Sequence, residues 1–197
     1  MKLRFEDESA KDAYFGQAFK SPTFENGWVL LEMEVPQQEM SNWCWAALSV
    51  GLSSYYHQEV LSQEYIVHQL LEVPEKGSTP DDYNKEYRLD FAFQFVNVFS
   101  HWSLGKPSFD RIKVEINQGR PIGVRIQWYK GGAHYVLLTG YKDEDRSVKI
   151  EDPMRGKFYM KMDDFPKEFR NGGAVWAETF WTQKGNIGKE DLEESSY

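Results

Sequence analysis

The chain of 197 residues contains a single cysteine, Cys44. One thiol excludes a disulfide within the chain and any metal site built from several thiolates. No apolar run approaches the roughly 20 residues that a membrane-spanning helix needs. The first residues, MKLRFEDESAKD, are charged throughout, so we expect neither a signal peptide nor a membrane anchor.

Positive charge is also scarce, because 23 Lys and Arg face 31 Asp and Glu, for a net charge of -8. Nucleic-acid affinity comes mainly from neutralised phosphates, so we do not expect a nucleic-acid partner. The HExxH, CxxC and P-loop motifs of metal and nucleotide enzymes are missing, and no metal or cofactor is expected. Hydrophobic residues at 41% and aromatic residues at 16% instead favour one folded domain with a proper core.

Helices precede strands in the order of predicted elements, which is the α+β pattern. Residues 1–27 form a polar lead-in, either a prosegment or a flexible segment, and residues 184–197 form an acidic tail. Between them, residues 28–183 make the predicted domain. It contains a strand at 28–35, helices at 43–56, 62–71, 89–102 and 108–118, and strands at 122–128, 133–141, 148–152, 157–162 and 174–182.

The helix at 43–56 carries small residues at three- and four-residue spacing. Such a face lets a helix lie close to a neighbouring element, so we expect this helix to be central and buried. Ser41 and Asn42 precede it and are predicted to cap its N-terminus. The small residues are Ala46, Ala47, Val50, Gly51 and Ser54.

Cys44 lies in the first turn of this helix. Free N–H groups and the helix dipole stabilise an anion there, so the sequence predicts a lowered pKa for the thiol. The alternative is a buried structural cysteine, the commoner role of a lone cysteine. A nucleophilic cysteine also needs a histidine, a group that orients the histidine, and donors for the oxyanion.

Four histidines are available to serve the thiol, and geometry favours one of them. His57 lies thirteen residues along the helix of Cys44, roughly 20 Å away. His68 lies within an amphipathic helix and His101 ends a Phe-rich segment, so packing explains both. His134 opens a strand directly after two glycines, where loop ends present side chains into clefts.

The orienting group follows from hairpin geometry. Strands 133–141 and 148–152 flank a polar turn, so His134 and Asp152, whose midpoint falls in that turn, should meet at its open end. Glu151 points to the opposite face, because side chains alternate along a strand. Asp152 is therefore the favoured carboxylate, and its alternative role is to initiate the Asp-Pro turn.

Two glutamines, Gln37 and Gln38, precede the helix in a loop that passes the Cys44 end. A side-chain amide there would add to the Cys44 N–H as an oxyanion donor. Taken alone, however, two loop glutamines are better explained as surface residues.

Three motifs resemble a known family. The spacing Gln38-x5-Cys44-Trp45 resembles the papain-like cysteine peptidases. The longer stretch QEMSNWCWAA is closer to two bacterial branches, the avirulence-type effector proteases and the double-glycine leader peptidases. The segment GAHYVLLTGY at 132–141 resembles the family's histidine strand, and IEDP at 150–153 resembles its third-member segment. The resemblance covers residues 28–183 and is specific at these motifs.

This resemblance implies a papain-like fold, in which a central helix carrying the cysteine packs on a C-terminal antiparallel sheet. It implies that Cys44 is the nucleophile, His134 the general acid and base, Asp152 the orienting residue and Gln38 the oxyanion donor. Asp152 stands where plant-type papains carry Asn. The implied activity is cysteine-dependent hydrolysis of a peptide or amide bond in a protein or peptide substrate, without a metal or cofactor.

Two alternatives use the same scaffold. A transferase would pass the acyl group to an amine instead of water, and product analysis with an added amine separates the two. An inactive peptide-binding module would leave Cys44 unreactive toward an affinity label. The expected location is the cytoplasm by default, or another cell reached by a signal-less secretion route. The sequence indicates neither a cleavage sequence nor an oligomeric state.

Overall fold

The computed structural model describes residues 21–74 and 77–185. Most of the predicted lead-in and nearly all of the acidic tail therefore lie outside the described residues. Within them the fold is α+β, as predicted. Its helices are α1 (Cys44–His57), α2 (Gln63–Leu71), α3 (Leu89–Phe95) and α4 (Phe109–Asn117). Its strands are β1 (Thr23–Glu25), β2 (Trp28–Leu30), β3 (Phe99–Leu104), β4 (Ile122–Trp128), β5 (Ala133–Lys142), β6 (Ser147–Asp152), β7 (Gly156–Lys161) and β8 (Ala174–Thr182).

These strands form one antiparallel sheet in the order β1-β2-β5-β4-β8-β3, and β6 and β7 extend from β5. Strand β5 pairs with β4 along its first half and with β2 and β6 along its second half. The helices cover the sheet, and α1 packs directly against β5. Within the described residues, no helix has the length and apolar character that a membrane crossing requires.

The first hairpin follows from turn chemistry. Asn26 and Gly27 connect β1 to β2 with φ values of 49° and 79°. A two-residue turn with both φ values positive favours Asn-Gly, because its twist matches that of paired strands. Strand β1 lies within the predicted lead-in, and β2 covers only the first three residues of the predicted strand at 28–35.

Helix α1 is central and buried, as predicted. Ala46 and Ala47 are fully buried. A Cβ atom on Gly51 would lie 3.0 Å from the Glu34 carbonyl oxygen, so the chain that precedes the helix crosses it in close contact. The small face allows that approach.

The prediction that Ser41 and Asn42 cap α1 was wrong. Trp43 occupies the N-cap position and makes no side-chain capping bond. The Asn42 N–H and side-chain amide instead bond to Asn84, at 2.9 Å and 2.8 Å, and the Asn84 amide donates to the Ser41 hydroxyl at 2.9 Å. These polar side chains join the loop before Cys44 to a segment forty residues away.

The predicted helix at 89–102 was wrong in its second half. Helix α3 ends at Phe95, Asn97 has a φ of 55°, and the chain continues as β3. Paired with β8, the aromatic segment gains the backbone hydrogen bonds that a longer helix would otherwise supply. Helices α2 and α4 begin one residue after their predicted starts, because Ser62 and Ser108 are the N-caps and their hydroxyls accept hydrogen bonds from the N–H groups of Tyr65 and Arg111.

Candidate active site

Cys44 is the first residue of α1, and its side chain opens into a cleft of about 540 Å³. The residue is only 8% exposed. The cleft lies between the N-terminus of α1 and the sheet. Its walls include Cys44, Trp45, Glu86, Trp128, His134 and Arg170.

The prediction of a lowered pKa for Cys44 was wrong. Burial raises the pKa of this thiol to about 11, while hydrogen bonds to the backbone of Tyr135 and Trp45 lower it by less. The negative charges of Glu86 and Asp152 raise it further. Desolvation of the anion therefore outweighs the helix terminus. A thiol in this environment keeps its proton unless a neighbouring base accepts it.

His134 lies near the start of β5 and is 4% exposed. Its Nε2 atom lies 2.7 Å from Oδ1 of Asp152, so the structure brings these two predicted residues together. Because the backbone of Tyr135 contacts the Cys44 sulfur, the strand residue next to His134 lies against the thiol. Both Cys44 and His134 line the cleft.

The other three histidines contact residues away from Cys44. Nε2 of His57 is 3.2 Å from the Asn97 carbonyl oxygen. His68 lies 3.8 Å from Glu64 in the same helix, and His101 stacks on an indole ring. For His68 and His101 this agrees with the packing role expected from the sequence.

The pairing of β5 with β6 does not put Asp152 directly opposite His134. Leu137 pairs with Glu151, and a register shift follows between Leu138 and Gly140. Continuing the same register places Asp152 opposite Val136, two residues from His134 on the same face of the sheet. The carboxylate and the imidazole therefore meet diagonally. Glu151, on the other face, pairs with Lys149 at 2.7 Å.

The Asp152 carboxylate is fully buried and has three partners. Oδ1 accepts from His134 and from the Met154 N–H at 2.8 Å, and Oδ2 accepts from Arg170 at 2.5 Å. Burial alone would raise the pKa of Asp152, but the bonds to His134, Arg170 and Met154 together lower it below its usual value. The carboxylate is therefore held ionised. The bond to Met154 shows that Asp152 also forms the predicted Asp-Pro turn.

Arg170 was missed by sequence reasoning. It lies in a short 3-10 turn, Phe169–Asn171, eighteen residues after Asp152, and has a φ of 55°. The sequence signal for this region was the turn at Asn171 and the two following glycines. An arginine in a surface turn carries no local sign of a buried carboxylate partner.

The loop that holds Gln38 is tied to the turn after Asp152. The Gln38 N–H donates to the Pro153 carbonyl at 2.7 Å. Its side-chain amide donates to the carbonyl oxygens of Met40 and Ser41, both at 2.8 Å, and its buried Oε1 has no partner among the described residues. Both amide hydrogens are thus in use within the loop. Gln37 contributes its carbonyl oxygen to Gln63.

Among the described residues, no three His, Cys, Asp or Glu side chains lie close enough together to bind a metal ion.

The chain matches the model of a known protein family. The model described as "Peptidase_C39 like family" matches residues 30–182. Most of the described domain falls within this match. The protein is a cysteine peptidase, a hydrolase. Within that class, the chain belongs to the Peptidase_C39 like family.

Several solved structures resemble the chain. The double-glycine motif protease of an AMS/PCAT transporter, in complex with its leader peptide, has 18% identity and a TM-score of 0.48, covering 78% of this chain and 94% of its own. Xylellain, a cysteine protease from Xylella fastidiosa, has 15% identity and a TM-score of 0.47, covering 83% and 91%. The Pseudomonas avirulence protein AvrPphB has 10% identity and a TM-score of 0.41, covering 78% and 97%. No curated protein matches the chain.

Proposed function

We propose that this peptidase hydrolyses a peptide bond in a protein or peptide substrate through Cys44, His134 and Asp152. The observation that carries the proposal is the 2.7 Å contact between His134 and the buried Asp152 at the edge of the cleft that Cys44 lines. A buried carboxylate holds an imidazole in one orientation and stabilises the imidazolium that forms during acyl transfer.

The reaction starts from a protonated thiol, because burial raises the pKa of Cys44 to about 11. As the sulfur attacks the substrate carbonyl carbon, the thiol proton passes to His134. The tetrahedral intermediate then collapses, the C–N bond breaks, and His134 gives that proton to the leaving amine. Water, deprotonated by His134, attacks the thioester and releases the carboxylic acid and the Cys44 thiol.

The oxyanion needs two donors in this proposal. The first is the N–H of Cys44, which as the first residue of α1 has no partner within its helix. The second is the Gln38 amide, which must exchange its bond to Met40 or Ser41 for one to the oxyanion. The bond from Gln38 to Pro153 supports this role, because it holds the glutamine loop beside the Asp152 turn.

The test is digestion of a mixed peptide library by the wild type and by Cys44→Ala and His134→Ala. We expect cleavage to disappear in Cys44→Ala and to fall at least ~100-fold in His134→Ala, the typical contribution of general acid-base catalysis. His68→Gln is the matched control, because His68 is paired with Glu64 away from the cleft. Cleavage that survives in Cys44→Ala would refute the proposal. Mass analysis with an added amine would reveal amide products if the enzyme were a transferase.

A further inference from the structure

The buried Asp152 carboxylate depends on Arg170 for one of its two oxygens. Oδ1 has two donors, His134 and the Met154 N–H, whereas Oδ2 accepts a hydrogen bond from Arg170 at 2.5 Å. The carboxylate side chain has no exposed surface. Burying an ionised oxygen without a charged partner costs free energy. Without Arg170, the Asp152 carboxylate would therefore rotate or take up a proton.

The Arg170 guanidinium is itself held in place on several sides. It lies 5.7 Å from the ring centroid of Trp128 and 5.2 Å from that of Phe169. Nη1 contacts the Met154 sulfur at 3.5 Å, and the side chain is only 16% exposed. A guanidinium stacked on aromatic rings loses little further freedom when it binds a carboxylate.

The backbone that carries Arg170 is seated on the same indole. A Cβ atom on Gly172 would lie 2.8 Å from Cδ1 of Trp128, so only glycine allows this approach. Phe169 is 3% exposed and stacks on Phe158 with ring centroids 5.3 Å apart. The turn is therefore anchored in the core on one side of Arg170 and against Trp128 on the other.

Arg170 also lies close to the imidazole. Its Nη2 atom is 3.2 Å from Nε2 of His134, while the same Nη2 binds Oδ2 of Asp152. The guanidinium thus holds one oxygen of the carboxylate whose other oxygen faces His134.

We propose that Arg170 is a positioning residue of the peptidase site, which binds Oδ2 of Asp152 and thereby aligns Oδ1 with His134. This inference rests on the proposed roles of Cys44, His134 and Asp152. Arg170 acts through Asp152 and takes no part in bond making or breaking.

The experiment compares kcat and KM on a cleaved peptide for the wild type, Arg170→Gln, Arg170→Lys and Arg155→Gln. A charged hydrogen bond of this kind predicts that Arg170→Gln lowers kcat roughly 10- to 100-fold and leaves KM within about threefold. Arg170→Lys keeps the positive charge and an N–H group that can donate to Oδ2, so it should recover part of that loss. Arg155, with an exposed side chain in the turn after β6, is the matched control and should stay near wild type.

A second measurement separates positioning from simple destabilisation. Guanidinium chloride at low millimolar concentration should restore part of the kcat of Arg170→Ala, whereas urea at the same concentration should not. An unchanged kcat in folded Arg170→Gln would overturn the inference. So would a loss of kcat that neither Arg170→Lys nor guanidinium repairs.

Failure of the proposed function would look different. If Cys44→Ala still cleaved the peptide, the roles of Cys44, His134 and Asp152 would fall, whatever Arg170 did. If Cys44→Ala were inactive and Arg170→Gln were fully active, only the inference about Arg170 would fall.

Discussion

The raised pKa of Cys44 makes a quantitative prediction about alkylation of the thiol in His134→Ala. Without the imidazole, the thiol can lose its proton only to solvent, and burial raises its pKa from 9.0 to about 11. Two pKa units correspond to a thiolate fraction about 100-fold smaller at any pH below about 9. We therefore expect the rate of iodoacetamide labelling to have its pH midpoint near 11 in this variant.

The wild type should behave differently, because proton transfer from Cys44 to His134 keeps the two charges together in the site. We expect its labelling midpoint to lie at least about two pH units below that of His134→Ala. Cys44 is the only cysteine in the chain, so the label reports on one thiol. The midpoint, unlike the absolute rate, does not depend on how easily the reagent enters the cleft.

Labelling of the unfolded protein in denaturant supplies the reference for an ordinary thiol. The reasoning would be refuted if folded His134→Ala had the same midpoint as the unfolded chain. That result would mean that burial does not control the thiol. A wild type that shares the midpoint of the variant would remove His134 as the proton acceptor.

Three further predictions concern stability. Because the folded pKa of Cys44 is raised in His134→Ala, its contribution to the stability of that variant is complete below about pH 9 and is lost as the pH rises to about 11. Urea unfolding should show His134→Ala losing about 3 kcal/mol more over that range than the double variant His134→Ala, Cys44→Ala. Asp152→Asn should cost about 3 kcal/mol at neutral pH by breaking a buried ion pair. Because the folded pKa of Asp152 is lowered, this difference should shrink as acid protonates the wild-type carboxylate; a constant difference would contradict the ion pair. Gly140→Ala should lower the free energy of unfolding by about 1–3 kcal/mol, because its Cβ would lie 2.7 Å from Leu30 and 2.9 Å from the Val29 carbonyl; an unchanged thermal midpoint would contradict this close approach.

Local features of the chain were predictable wherever backbone chemistry decided them. Ser62 and Ser108 begin α2 and α4 because their hydroxyls accept hydrogen bonds from N–H groups three residues along. The strands at 122–128 and 174–182 have the predicted bounds, because turn residues interrupt runs of β-forming side chains. The segment at 89–102 was not predictable in the same way, since pairing with β8 decides where α3 stops.

The candidate site was likewise predictable only in part from the sequence. The alternation of side chains in a hairpin favoured Asp152 over Glu151 as the partner of His134, and the structure brings Asp152 and His134 together. The exact pairing could not be predicted, because a register shift between Leu138 and Gly140 helps to set which residue Asp152 faces, and Asp152 lies diagonal to His134 instead of opposite it.

The sequence by itself determined the class of the protein and most of its elements, because helix caps, turns and spaced motifs act over a few residues. Only the tertiary structure decided the chemical state of the site. The pKa of Cys44 depends on how deeply the sheet buries it, and no neighbour in sequence reports that depth. The contact of Arg170 with Asp152 joins residues eighteen positions apart through a turn seated on Trp128. Charge pairing and desolvation act through space, so they emerge only once the chain has folded.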